Sequence, residues 1–252
     1  MYFKDEKISF YYEKYGNDKK TILILPGWGN TRPTFKNIIE RFKTNYTIYI
    51  IDYPGFGNSH LPETDLTIYD YANTIRNFMN KQKITNPILI VHSFGGRIAT
   101  LLTGYYKEKI DKLIMIDAAA IKPKKTLKQL FKQTLYKLLK KLIQLTPKKI
   151  RNNLKQKLFQ KFASTDYKNL TPCMQKTFRN IVNEDLTIYL KKIESETLLI
   201  WGSLDNDTPL KDAKKMNKLI KNSALIIYKN ATHYSYLQYP YLTNNIINEF
   251  IK

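Results

Sequence analysis

The chain has 252 residues, 43% of them hydrophobic, and a formal net charge of +21. That length and apolar content suit one large globular domain and exclude a disordered chain. No apolar run approaches the roughly 20 residues of a membrane-spanning helix, and the charged N-terminal stretch MYFKDEKISFYY lacks the apolar core of a signal peptide. Cys173 is the one cysteine, so an internal disulfide is excluded and a reducing, cytoplasmic setting is expected.

In chain order, residues 2–15 are expected to form an edge hairpin, with Gly16 and Asn17 as turn residues. TILILPGWGN (21–30) reads as a buried strand ending in a glycine loop, and Pro33 to Phe42 as a helix. YTIYIIDYPGFGNSH (46–60) is a second strand and loop, whose glycines fix its shape. Thr67 and Asp70 mark the start of a helix that runs to Lys83. A strand at 88–92 leads into a helix at 94–106, and KLIMIDAAA (112–120) is the next strand. After a long break, TLLIWG (197–202), a helix at 211–221, ALIIYKN (224–230) and a helix near 240–251 resume the alternation. Strand–helix alternation of this kind predicts an α/β fold: a mostly parallel sheet with helices on both faces.

Residues 121–193 hold no strand pattern. Leu127, Leu130, Phe131, Leu135, Leu138, Leu139 and Leu142 recur at helical spacing, with lysines elsewhere. Pro147 interrupts the pattern, and Ile150, Leu154, Leu158 and Phe162 continue it on a second helix. The chain therefore divides into a core of residues 1–120 and 194–252, with 121–193 inserted as a helical block. The apolar side of that block is expected to pack over the core. From Ala118 to Thr165 there are fourteen Lys or Arg and no Asp or Glu, whereas most of the remaining chain is mixed in sign. A solvated face, or a docking site for an anionic partner, would account for that bias.

The chemistry is concentrated at strand ends. VHSFG (91–95) places Ser93 between a strand and a helix. WGSLDNDTPL (201–210) and KNATHYSYLQYP (229–240) put an acid and then a histidine after later strands. These segments resemble the nucleophile elbow, acid turn and histidine loop of the α/β-hydrolases, and the resemblance runs from about residue 20 to 250. It implies the α/β-hydrolase fold with a helical cap at 121–193, and a Ser93–His233–Asp205 triad. Asp207 and Asp117 are the alternative acids, Asp207 being also a candidate cap for the helix after it. By the same match, Trp28 and Phe94 N–H groups supply the oxyanion hole. Two positions depart from the family pattern. Val91 replaces the first glycine of the elbow, and Pro26 replaces a histidine in the oxyanion loop. His60 precedes Ser93 in an early loop, and His92 should point away from the exposed face of the elbow.

The resemblance implies a serine hydrolase that cleaves a small-molecule carboxylic ester with an apolar acyl group, without cofactor or metal. The same triad could serve C–C hydrolysis, lyase or perhydrolase chemistry, and a non-catalytic binding protein could retain the pocket. Haloalkane cleavage is disfavoured, because it needs a carboxylate where Ser93 stands. The layout is also similar to the carrier-protein methyl esterases of biotin synthesis, mostly through the shared fold. The basic stretch 118–165 accordingly has two candidate partners, a membrane surface or an acidic acyl carrier protein. Its aromatic residues are not interleaved for base stacking, so no nucleic acid is expected.

Overall fold

Runs of Ile, Leu and Val build the centre of one eight-stranded sheet. The computed structural model describes residues 1–123, 127–162 and 165–252. The strands are β1 (Tyr2–Lys4), β2 (Ser9–Tyr15), β3 (Thr21–Leu25), β4 (Thr47–Asp52), β5 (Ile88–His92), β6 (Lys112–Ile116), β7 (Glu196–Gly202) and β8 (Ser223–Tyr228). Their spatial order is β1-β2-β4-β3-β5-β6-β7-β8. β1 and β2 pair antiparallel as the expected hairpin, β2 pairs antiparallel with β4, and all other pairings are parallel.

Successive strand side chains point to opposite faces, so each run feeds two cores at once. Leu23, Leu25, Leu89, Val91, Leu113, Met115, Leu199 and Trp201 face one side. Ile22, Ile24, Ile48, Ile50, Ile88, Ile90, Ile114 and Ile116 face the other. The register aligns like with like: Ile24 lies beside Ile90 and Leu25 beside Val91. A one-residue slip would exchange the two cores, so this register is strongly specified.

The first core is covered by α2 (Ile68–Lys81) and α3 (Phe94–Thr100). The second is covered by α1 (Lys36–Phe42) and by a C-terminal helix, Pro240–Phe250. Thr67 caps α2 as expected: its hydroxyl accepts from Asp70 N, and the Asp70 carboxylate accepts from Thr67 N. The expected helix 94–106 is α-helical only to Thr100 and then opens into a π-helical turn, Leu101–Tyr105. The expected strand 112–120 stops at Ile116, where Asp117 takes a positive φ of 44° and breaks the extended backbone.

Between β6 and β7 lie α4 (Leu127–Gln144), α5 (Lys148–Phe162), α6 (Thr165–Lys168), α7 (Pro172–Asn183) and α8 (Thr187–Leu190). Pro147 stands just before α5, where its fixed φ is tolerated. α4 and α5 form a helical hairpin, with the Tyr136 and Phe162 rings 5.5 Å apart. The expectation that the apolar side of α4 packs over the fold is wrong: Leu127, Leu130, Phe131, Leu135, Leu138 and Leu142 are exposed. α4 turns Tyr136, Leu139 and Ile143 inward instead, because α5 offers a surface to that side only. Lys124 and Lys125 of the basic stretch lie outside the described residues. After β7, the chain continues through α9 (Leu210–Leu219), β8 and α10 (Ser235–Gln238) into α11, the C-terminal helix.

Candidate active site

β3, β5, β6, β7 and β8 each deliver a segment of the site at the carboxyl end, where open α/β sheets form their crevice. Ser93 follows β5 with φ 46° and ψ −113°, a conformation disfavoured for a residue with a Cβ. Its surroundings enforce it. The Ser93 carbonyl accepts from Gly96 N (2.9 Å) and Ala119 N (2.8 Å), and Gly95 N donates to the Pro26 carbonyl (3.0 Å). A Cβ on Gly95 would lie 2.1 Å from the Leu25 carbonyl oxygen, so only glycine lets the elbow press this closely on β3. Val91 needs no such room, because its side chain enters the first core beside Leu25. Pro26, lacking the family's histidine side chain, braces the elbow through its carbonyl.

The hydroxyl of Ser93 meets His233 Nε2 at 2.9 Å. On the far side of the ring, His233 Nδ1 meets Asp205 Oδ2 at 2.9 Å. The Thr208 hydroxyl also donates to Asp205 Oδ2 (2.6 Å). Asp205 Oδ1 accepts from the N–H groups of Asp207 (2.8 Å) and Thr208 (2.9 Å). Burial raises the Asp205 pKa, but the hydrogen bonds from His233 and Thr208 outweigh it, and the carboxyl is held below its usual range. Burial lowers the His233 pKa, but its bond to Asp205 and that residue's charge outweigh the burial, so the net shift is upward. The carboxylate is thus ionised and fixes the proton of His233 on Nδ1, leaving Nε2 to accept from Ser93.

The alternative acids have other duties. Asp207 is exposed and contributes a backbone N–H to Asp205. It does not cap α9, whose N-cap is Pro209. Asp117 is fully buried. Its Oδ1 accepts from Gly202 N (2.8 Å), and its Oδ2 accepts from Ser235 N (3.0 Å) and the Ser235 hydroxyl (2.6 Å). It therefore ties β6 to β7 and to the loop that carries His233. Burial pushes its pKa up to about 7, against the pull of those hydrogen bonds. Asp205, Asp207 and His233 also offer ligand atoms within 4.8 Å of one another. Both Asp205 oxygens already accept hydrogen bonds from the protein, so the cluster is organised around the imidazole rather than a cation.

His92 points away from the mouth of the site, as expected, and supports it from behind. Its Nε2 lies 2.8 Å from the His233 carbonyl oxygen and its Nδ1 lies 3.2 Å from Asn30 Nδ2. The carbonyl accepts only, so His92 carries its proton on Nε2 and takes the Asn30 amide proton on Nδ1. Burial drives its pKa down to about 3, keeping it neutral. The Asn30 carbonyl oxygen in turn accepts from the Tyr234 hydroxyl (3.3 Å). Asn30 and Tyr234 escaped sequence reasoning, as did the supporting roles of His92 and Thr208; only the nearness of Asn30 to the glycine loop and of Tyr234 to His233 offered a signal. His60 stacks on Tyr2, with ring centroids 5.5 Å apart, and takes no part.

Trp28 and Phe94 border Ser93 in a cavity of about 350 Å³, with their rings edge to face at 5.5 Å. Phe94 opens α3, where first-turn amides have no acceptor within the helix. The other wall comes from Ile121 and from Phe178, Ile181 and Val182 of α7. α7 is fastened to the core through Leu66 N, which donates to the Thr177 hydroxyl (2.9 Å), and through Lys176 with Asp65 (2.8 Å). Arg97, buried on α3, donates to the Glu184 carbonyl at the end of α7. Burial lowers its pKa to about 10, so it remains a cation at neutral pH.

A family model described as the alpha/beta hydrolase fold matches residues 20–240. The chain belongs to the α/β-hydrolase family. It is 29% identical to the pimeloyl-[acyl-carrier protein] methyl ester esterase of Wigglesworthia glossinidia brevipalpis, over 96% of this chain and 98% of that protein. The enzyme of the same name from Vibrio vulnificus is 22% identical over 87% and 89% of the two chains. Among solved structures, an esterase from Exiguobacterium antarcticum superposes with a TM-score of 0.74 at 23% identity, covering 97% of this chain and 96% of that one. The expected fold class is therefore correct, and the chain is a hydrolase of the α/β type.

Proposed function

We propose that this hydrolase cleaves a carboxylic ester through an acyl-enzyme. The observation that carries the reading is the unbroken relay from Ser93 Oγ through His233 to the buried Asp205, each contact 2.9 Å. A serine hydroxyl is a weak nucleophile at neutral pH and needs an adjacent base held in the right tautomer. His233 Nε2 takes the Ser93 proton as Oγ attacks the ester carbonyl. Asp205 stabilises the imidazolium that results. Trp28 and Phe94 N–H groups stabilise the tetrahedral oxyanion, and losing one such donor typically costs about a hundredfold or more. His233 then returns the proton to the departing alcohol. Water, activated by the same imidazole, releases the acid and restores Ser93.

The largely apolar lining points to an apolar acyl group, and about 350 Å³ lies near the lower end of the ~300–1,000 Å³ usual for ligand pockets. That favours short chains. In this reading, residues 121–193 act as a cap whose α7 closes the acyl side, over a core of residues 1–120 and 194–252. The relatives named for hydrolysing a pimeloyl-carrier methyl ester make a methyl ester at the end of a carried acyl chain a candidate substrate.

The test is hydrolysis of p-nitrophenyl esters from acetate to palmitate by the protein and by Ser93→Ala. Turnover is expected with the shorter esters and is expected to fall by about 10⁴-fold or more in the variant. Equal rates in the two proteins would reject the reading.

A further inference from the structure

We infer that α4 docks the protein on an anionic lipid surface, lying in the interface rather than crossing it. Leu127, Phe131, Leu135, Leu138 and Leu142 are 36–85% exposed. At 3.6 residues per turn they fall within about 80° of arc, a single stripe running the roughly 27 Å length of the helix. Leu139, Ile143 and Tyr136 follow at about 120–180° on the same count and are half-buried against the fold. The stripe is thus surplus to folding. Exposed apolar residues in isolation are ordinary, but a continuous row of five is not.

Charge identifies the occupant. Lys137 and Lys141 are exposed along one edge of the stripe, and the surrounding stretch 118–165 contains fourteen cations and no acid. Among the described residues, no ion pair involves α4 or α5. A second copy of the chain would bring the same cations face to face, which disfavours self-association. An acidic protein would match the lysines, but it would have to cover a straight apolar row the length of the helix. A lipid interface satisfies both features: leucines enter the acyl boundary while lysines remain among anionic headgroups. No described helix is long and apolar enough to cross a membrane, so the helix rests in the surface.

The inference is independent of the ester-hydrolase reading, because binding is measured without turnover. The full-length protein is floated with vesicles of phosphatidylcholine alone and of phosphatidylcholine and phosphatidylglycerol in equal parts. Binding is expected to the mixed vesicles only, and to weaken with added salt. The double variant Leu138→Glu, Leu142→Glu, checked by circular dichroism for retained fold, is expected to lose at least about tenfold in affinity, because two of the side chains that enter the acyl boundary become charged. Lys137→Glu, Lys141→Glu is expected to weaken binding to the mixed vesicles as well. Phe131→Trp, which leaves the stripe intact, is expected to shift its emission to the blue on mixed vesicles. The inference is overturned by no binding to either vesicle, by equal binding to both, or by unchanged binding in the leucine variant. It is equally overturned by a solution dimer that this variant dissociates, or by an acidic carrier protein that binds at α4 while vesicles do not.

Discussion

His233 receives opposing influences: its partial burial disfavours the cation, while the bond to Asp205 and that carboxylate's charge favour it more strongly. In the proposed mechanism the base is the neutral imidazole of His233. Activity should therefore fall as pH drops through a value above the ordinary histidine pKa of about 6.5. Asp205→Asn removes the charge that raises the pKa and, with the amide oxygen held by the Asp207 and Thr208 N–H groups, turns a donor instead of an acceptor towards His233 Nδ1. The acid limb of kcat/KM is predicted to move to lower pH, while the plateau rate drops by about 10³–10⁴-fold because the tautomer is no longer fixed. A pH–rate profile of the two proteins checks both parts; an unmoved limb would mean that Asp205 does not set the base. At this scale the sequence was informative where chain order and strand ends constrain the choice, as for Ser93, His233 and Asp205. It placed His92 away from the mouth of the site but was silent on its partners, Asn30 among them. Their contact depends on a ring lying behind the histidine loop and an amide reaching across from the glycine loop. No local pattern encodes that meeting of β3 and β5.

Among the elements, α7 has the clearest influence on chemistry. Thr171 caps it, Pro172 follows at its first position, and Met174, Thr177 and Ile181 bury one side. That anchoring leaves Phe178 directed at the Trp28 ring, 5.4 Å between centroids, where it narrows the Ser93 cavity. Beyond it, Tyr136, Phe159, Phe162 and Tyr167 line a separate cavity of about 560 Å³ beneath α4. Tyr167 lies 6.1 Å from Phe178, centroid to centroid, so the two spaces are neighbours across this side chain. Phe178→Ala is predicted to move the preferred p-nitrophenyl ester towards longer acyl chains, with kcat for acetate changing by less than about tenfold, since the reacting atoms are untouched. An unchanged chain-length profile would assign the acyl group elsewhere. The sequence revealed the helical spacing of this block but not which faces would be covered. Amphipathic spacing shows that a helix has an apolar side, and only its neighbours determine whether that side is buried. α4, with its stripe left in solvent, demonstrates the difference.

Across the whole molecule, two observations belong together. The sheet was legible because parallel strands buried on both faces read as unbroken apolar runs, and a one-residue slip is forbidden by the two cores. Residues 121–193 were less legible because which of their side chains join the core, such as Ile181, Leu186 and Leu190, is decided by neighbours distant in sequence and not by local spacing. In the proposed reading the sheet assembles the reacting groups, while residues 121–193 shape what reaches them. This division of labour places the central claim on one atom, the hydroxyl of Ser93. The most direct measurement is the intact mass of the protein after reaction with a fluorophosphonate. The account predicts a single adduct on Ser93, with labelling abolished in Ser93→Ala and strongly slowed in His233→Ala. An adduct on another residue, or an unmodified protein that is nonetheless folded, would contradict it.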